Sequence, residues 1–247
     1  MILKKNDGRL WEIDLLRGLA IIIMILFHFL YDLNHYSLAK IRLYSGPIVY
    51  VAYITASVFI ILVGIALTIS YSKAQQSMSK KEIKLKFLRR GIMILLLGMI
   101  VTVVSWIYIP ERFIIFGILH CIGVSIIISL PFIRLRVGNL ILGFLLIGIG
   151  SYLKLLTFDF NWLIPLGFLP RRFFTIDYFP LLPWFGVVMI GMAIGNFIYP
   201  NAKRQYHLKD RSCYLIVKSL CFLGRHSLII YFLHQPILVG LIFLLLL

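Results

Sequence analysis

Seven stretches of this sequence are long and apolar enough to cross a lipid bilayer, and they restrict the fold more than any other feature. A helix needs about 20 apolar residues to cross a hydrocarbon core of about 30 Å. The predicted spans are 13–33, 48–71, 89–109, 113–132, 137–155, 180–199 and 226–247. The chain is 61% hydrophobic, more than a soluble domain of 247 residues could bury. We therefore expect an all-α, polytopic membrane helix bundle, forming one domain over residues 1–247.

The basic residues indicate how the bundle is oriented. If the N-terminus is cytoplasmic, 19 of the 25 Lys and Arg residues fall in inner segments. This asymmetry predicts a cytoplasmic N-terminus, an outer C-terminus and an odd number of spans. The first apolar segment lacks a small-residue cleavage site, so we expect an anchor in the cell membrane rather than a signal peptide. The net charge of +16 is then explained by topology, without nucleic acid as a partner.

Two further segments are harder to assign. Residues 160–179 are aromatic and proline-rich, which suits an outer interfacial loop with a short re-entrant piece. Residues 213–223 are apolar but too short for a span, so an amphipathic helix on the inner face is expected.

The first span carries a stripe of ionisable residues. On a helix of ~100° per residue, five of them fall within about 60° of one another. They are Asp14, Arg17, His28, Asp32 and His35. A charge at the bilayer centre costs about 2.5–3.5 kcal/mol on insertion scales, so such groups normally mark a functional site. The alternative places Asp14 and Arg17 in the inner headgroup layer and Asp32 and His35 in the outer one, which leaves only His28 immersed in the hydrocarbon core.

Two other predicted spans contain histidine. His120 lies in the fourth span, and His234 precedes Gln235 and Pro236 in the last. The proline has no N–H to donate to the carbonyl of Phe232, so a water-accessible or ligand-lined place is expected there. Alternatively, each histidine joins two helices by a hydrogen bond worth about 0.6 kcal/mol. The three histidines could line one cavity if their spans are neighbours.

Histidine can accept and return a proton at neutral pH. We expect His28 to be a general base that Asp32, one helical turn away, orients, with His120 as the second choice. No serine or cysteine is placed as a nucleophile, so the acceptor attacks directly or through an acyl-imidazole. The three cysteines have no zinc-site spacing, and no metal is expected. A proton relay in a transporter would use the same residues.

Four blocks of the sequence resemble a known family. They are WEIDLLRG, FHFLYDL, FGILHCIG and DYFPLLPWFGVVMIGMAIG. Together with the closing helix, GRHSLIIYFLHQPIL, they are similar to the bacterial relatives of the heparan-alpha-glucosaminide N-acetyltransferase catalytic domain, among the membrane-bound acyltransferases. The resemblance implies transfer of an acyl group from cytoplasmic acyl-CoA to a sugar at the outer face, with Arg17 and His28 as functional positions. It makes His35 a further candidate, and it leaves the acceptor open.

The remaining site predictions concern the two substrates. Basic residues at the inner face suit the phosphates of acetyl-CoA, although topology and anionic lipid also explain them. The candidates are Arg17, Arg89, Arg90 and Arg225. Acceptor binding is assigned to His234, Gln235, Asp177 and Trp184, of which the last two could instead be a helix cap and an interfacial aromatic residue.

The sequence thus favours an acyltransferase that transfers an acyl group, expected to be acetyl, to a glycan or other small acceptor, and homo-oligomers are possible. The alternative is a proton-coupled transporter or lipid-handling membrane protein without covalent chemistry. The absence of a visible inverted repeat disfavours it. A purely structural membrane subunit would leave the polar stripe unexplained.

Overall fold

The computed structural model describes residues 10–43 and 45–246. Within these ranges the chain forms eight α-helices. They are α1 (Trp11–His35), α2 (Pro47–Ala74), α3 (Lys80–Tyr108), α4 (Ile118–Ile128), α5 (Arg136–Leu153), α6 (Leu181–Ile198), α7 (Leu215–Arg225) and α8 (Ser227–Leu246). The described residues form no β-strand, and their β pairing is limited to two isolated bridges. The predicted all-α fold is confirmed.

Six helices among the described residues are long and apolar enough to cross a membrane, namely α1, α2, α3, α5, α6 and α8. In five of them most of this apolar surface is not covered by protein; the exception is α6, where 56% of the most apolar window is buried. In α3, for example, only 17% of the most apolar window is buried. Apolar side chains exposed in this way need lipid around them. The chain is therefore a multi-pass membrane protein.

The helix observed in the fourth predicted span is shorter than predicted. Instead of a helix over 113–132, the structure has the 11-residue helix α4, which is only ~16 Å long. Residues 113–117 before it are not helical. Hydropathy shows that this stretch is apolar, but hydropathy alone does not show where its helix begins.

Side chains satisfy the backbone of this non-helical stretch. Ser105 Oγ accepts from the Ile114 N–H at 3.0 Å. The hydroxyl groups of Thr102 and Thr175 donate to the carbonyls of Ile114 and Phe113 at 2.7 and 2.8 Å. Non-helical backbone is tolerated at membrane depth only where such partners or water replace the helix hydrogen bonds.

The two segments that were hard to assign have defined structures. The amphipathic helix expected at 213–223 is present as α7. The loop expected at 160–179 contains one turn of 3-10 helix, Ile164–Leu166. Their places at the membrane surface remain predictions.

Contacts divide the chain into two compact units. The first consists of Met1–Phe59 and Leu208–Leu247, and contains α1, α7, α8 and the beginning of α2. The second, Ile60–His207, contains the rest of α2 and α3 to α6. The two units are described separately below, and the expected single domain remains a prediction.

In the first unit, α1 and α8 run in the same direction. Ring contacts pair His28 with His234 and Tyr36 with Phe243, so residue numbers rise together along both helices. Two parallel spans must be separated by an odd number of crossings. Among the described residues, four long apolar helices lie between α1 and α8. The odd number of spans expected from the basic residues, with the stretch around α4 as the further crossing, remains a prediction.

Glycines let neighbouring helices approach closely. A Cβ at Gly18 of α1 would meet the Leu220 carbonyl of α7, and a Cβ at Gly224 of α7 would meet the Asp14 carbonyl of α1. The same reciprocal arrangement joins α5 to α6 through Gly143 and Gly186. Small residues are typical of helix contacts in membranes, where close packing replaces the hydrophobic effect.

Candidate active site

The first unit brings together four of the residues predicted for the site. Its α1 contributes His28 and Asp32, and its α8 contributes His234 and Gln235. The two imidazole rings lie edge to face, with centroids 4.8 Å apart and an interplanar angle of 74°. One turn further along α1, Asp32 Oδ1 accepts a hydrogen bond from Gln235 Nε2 at 2.7 Å. These four residues are called the α1–α8 cluster below.

Each histidine in the α1–α8 cluster is fixed by its own helix. His28 Nδ1 lies 2.9 Å from the Met24 carbonyl oxygen, and His234 Nδ1 lies 2.6 Å from the Tyr231 carbonyl oxygen. A carbonyl oxygen only accepts, so the Nδ1 atom carries the hydrogen in both rings. The Nε2 atom of each neutral ring therefore keeps a lone pair, which is the form in which imidazole accepts a proton.

Asp32 is not bonded to His28 in the structure. The sequence led us to expect that Asp32 would orient this imidazole, but the Met24 carbonyl bonds its Nδ1 atom, and Gln235 bonds the carboxylate. Asp32 is 2% exposed, so its carboxylate is enclosed by the surrounding helices. Any influence of Asp32 on His28 therefore acts through space or through a bound molecule.

Three buried polar atoms of the α1–α8 cluster have no hydrogen-bond partner among the described residues. They are Asp32 Oδ2, His234 Nε2 and Gln235 Oε1. In the assigned tautomer and amide orientation, all three are hydrogen-bond acceptors. A buried polar atom without a partner costs about 1–3 kcal/mol. The cluster is therefore suited to a group that brings hydrogen-bond donors, such as a hydroxyl or an amine.

His120 lies in the second unit and has a different environment. Its Nδ1 atom accepts a hydrogen bond from the Gly117 N–H at 3.2 Å. Its Nε2 atom is 3.3 Å from Thr102 Oγ1, whose own hydrogen is donated to the Ile114 carbonyl. His120 Nε2 therefore donates to Thr102, and neither ring nitrogen keeps a free lone pair. This arrangement favours the alternative in which His120 joins two helices.

Asp177 and Trp184 are also in the second unit. Asp177 Oδ2 accepts from the backbone N–H of Ile118 at 3.1 Å, which places its carboxylate at the N-terminus of α4. Burial raises the pKa of this carboxyl to about 6, against the smaller opposing effect of the hydrogen bond. Trp184 is 6% exposed and packs on Phe179 with ring centroids 4.7 Å apart. These contacts are structural, and the predicted acceptor-binding roles of both residues remain predictions.

The predicted donor-binding residues are divided between the units. Arg17 is half-buried on α1, and Arg225 ends α7, where its Nε donates to the Cys221 carbonyl at 3.1 Å and lies 4.0 Å from Asp14 Oδ2. Arg89 and Arg90 are exposed on α3 of the second unit.

Sequence reasoning did not single out a basic cleft in the first unit. The cleft has a volume of about 430 Å³ and is lined by Lys209, Arg211, Tyr214 and Val217. Lys209 and Arg211 belong to the inner-segment basic residues, which the sequence analysis uses only to predict the orientation. Sequence reasoning also did not find Met24 and Tyr231, whose main-chain carbonyls fix the two histidines. No side-chain pattern marks such a role.

Comparisons with known proteins identify one family. Residues 9–236 match the family model described as heparan-alpha-glucosaminide N-acetyltransferase, catalytic. This match includes all four residues of the α1–α8 cluster, all of the second unit and most of the first. No curated protein and no solved structure matches the chain. Among the described residues, no group of three or more His, Cys, Asp or Glu side chains could hold a metal ion.

Proposed function

The chain belongs to the heparan-alpha-glucosaminide N-acetyltransferase catalytic family, and we propose that it transfers an acetyl group from acetyl-CoA to an amine or hydroxyl group of a sugar. The family supports a membrane acetyltransferase. The α1–α8 cluster supports the nature of the acceptor group and the identity of the base.

One observation carries this proposal. The unpartnered buried atoms of the cluster are all acceptors, and they lie beside a histidine whose hydrogen is held on Nδ1. An attacking amine or hydroxyl group presents hydrogen-bond donors and must lose a proton when it attacks. The cluster offers both acceptors to bind those donors and a lone pair to take that proton.

In the proposed reaction, His28 acts as the general base. The acceptor nitrogen or oxygen attacks the thioester carbonyl carbon while its proton moves to His28 Nε2. The new C–N or C–O bond forms, and the C–S bond breaks to release CoA. Asp32 and Gln235 hold the acceptor group through the oxygens that are unpartnered in the structure. A general base of this kind typically contributes ~100- to 10,000-fold.

The donor is proposed to enter from the cytoplasm. Arg17 and Arg225 lie near the ends of α1 and α7, in the unit that contains the cluster, and guanidinium groups suit the phosphates of CoA. The basic cleft at Lys209 and Arg211 is an additional candidate for donor binding.

The orientation of the protein in the membrane is tested by cysteine labelling. A cysteine at Lys84 should react only from the cytoplasm, and one at Arg171 only from outside. Outside labelling at Lys84 would exclude a cytoplasmic donor.

A proton-coupled transporter remains the second candidate, because a pair of membrane histidines also suits proton movement. One experiment separates the two functions. Purified protein in detergent is incubated with [¹⁴C]acetyl-CoA and glucosamine, a probe with one amine and several hydroxyls. The acetyltransferase proposal predicts CoA release together with labelled acetylglucosamine. A transporter would release no CoA with glucosamine or with other amino and hydroxyl acceptors, and that result would exclude the proposed function.

A further inference from the structure

The imidazole of His234 has an unusual position for a merely structural histidine. The residue is 8% exposed, its ring contacts that of His28, and its buried Nε2 atom has no partner among the described residues. A histidine that only joins two helices uses its nitrogens for that bond, as His120 does. The tautomer of His234 instead leaves the interior nitrogen without a bond.

His234 and His28 are alike in the feature that matters for proton transfer. Both donate Nδ1–H to a carbonyl of their own helix, and both therefore hold a lone pair on Nε2. Their rings touch although 206 residues separate them, so a proton taken by one can pass to the other directly or through one water molecule. Such a pair provides two proton-accepting positions in one site.

The proposed reaction needs a second proton step. When acetyl-CoA is the donor, the leaving group is an alkyl thiolate, which must regain a proton to leave as the thiol. The base that accepted the acceptor's proton ends as an imidazolium and must lose it before the next turnover. One histidine could perform both steps only if it reached the acceptor and the sulfur in turn.

We infer that His234 is a second catalytic residue, which carries the proton from His28 to the departing CoA sulfur. This inference rests on the proposed function. The acceptor's proton moves to His28 Nε2 as the C–N or C–O bond forms. It then passes to His234 Nε2, and from there to the thiolate as the C–S bond breaks. Both rings return to the neutral state, so neither an oxidant nor a further reactant is needed.

Acetyl transfer to glucosamine by the wild-type protein is the reference for the test of this relay. Absence of transfer to any acceptor would contradict the proposed function. Transfer that does not need His234 would overturn the relay and leave the proposed function intact.

Variants of His234 provide the test. His234→Gln keeps a hydrogen-bonding side chain without basicity, and it should lower kcat at least 100-fold while the KM for acetyl-CoA stays within about twofold. His234→Asn serves if the glutamine does not fold. The exposed His207 supplies the matched control, and His207→Gln should behave as wild type. A fall in kcat of less than about 100-fold in folded protein would refute the catalytic role.

Discussion

The carboxylate of Asp32 and the amide of Gln235 join the first and last membrane helices through a 2.7 Å hydrogen bond. Asp32 is 2% exposed, and Gln235 supplies the only hydrogen bond to its carboxylate among the described residues. This one contact therefore links the stability of the bundle to the site.

Removal of the amide should be more harmful than removal of both partners. Gln235→Leu leaves the Asp32 carboxylate buried without a donor, and we expect a loss of about 2–3 kcal/mol in the free energy of unfolding. The double variant Asp32→Leu with Gln235→Leu replaces both groups by apolar side chains and should recover most of that loss. Thermal unfolding in detergent measures both. If the double variant is as unstable as the sum of two single losses, the bond does not act as a pair.

The same substitution should lower turnover at His28 and stability at His120. His28→Gln removes the proposed base, so turnover should fall ~100- to 10,000-fold with donor binding retained. His120→Gln alters a residue whose two nitrogens are both hydrogen-bonded, so stability should fall while folded protein keeps most of its turnover. Asp32→Asn should be milder than His28→Gln. Acetyl transfer and unfolding temperature are compared for all three, and more than a tenth of normal turnover in His28→Gln would remove this histidine as the base.

Asp177 should make stability depend on pH. Its pKa of about 6 lies above the ordinary value of 3.8, because burial penalises the charged form. The folded protein therefore holds this proton more tightly than the unfolded chain does. The protonated Asp177 carboxyl makes its full contribution to the free energy of unfolding below about pH 4. That contribution is lost as the pH rises through about 6. A pKa difference of about two units corresponds to a change of at most ~3 kcal/mol in the free energy of unfolding. The remaining solvent contact of the Asp177 side chain makes the expected change smaller.

The measurement for Asp177 is thermal unfolding between pH 4 and 8. Asp177→Asn stays neutral and still accepts from the Ile118 N–H, so most of the pH slope should vanish. The control is Asp159→Asn, which breaks a 3.0 Å ion pair with Arg171 whose side chains are 74% and 78% exposed, and it should leave the slope unchanged. An unaltered slope in Asp177→Asn would assign it to another group.

The crossing of α1 and α7 should not tolerate a methyl group. A Cβ at Gly18 would overlap the Leu220 carbonyl, which is backbone and cannot rotate away. We expect Gly18→Ala to cost about 1–3 kcal/mol, as overpacking typically does. Gly240→Ala is the control, because a Cβ at Gly240 meets no atom within 4 Å. Equal unfolding temperatures for the two variants would show that the helices separate at little cost.

The sequence predicted the spans well because apolar length is a local property. It could not predict that α4 begins only at Ile118, because that depends on hydroxyl groups of Thr102 and Thr175 that come from distant segments. The stripe on α1 indicated His28 and Asp32, and the proline in α8 indicated His234 and Gln235. What joins them is helix packing across more than 200 residues, and that packing also decided that Asp32 bonds Gln235 rather than His28.

The pairing of α1 with α8 also bears on how the protein is made. Asp32 and Gln235 are 203 residues apart, which corresponds to about 10–40 s of synthesis at ~5–20 residues per second. During this interval Asp32 has been inserted while its partner has not yet been translated. Until α8 is made, the Asp32 carboxylate lacks the hydrogen bond that Gln235 donates in the folded protein. The α1–α8 cluster can therefore assemble only after Gln235 has been synthesised.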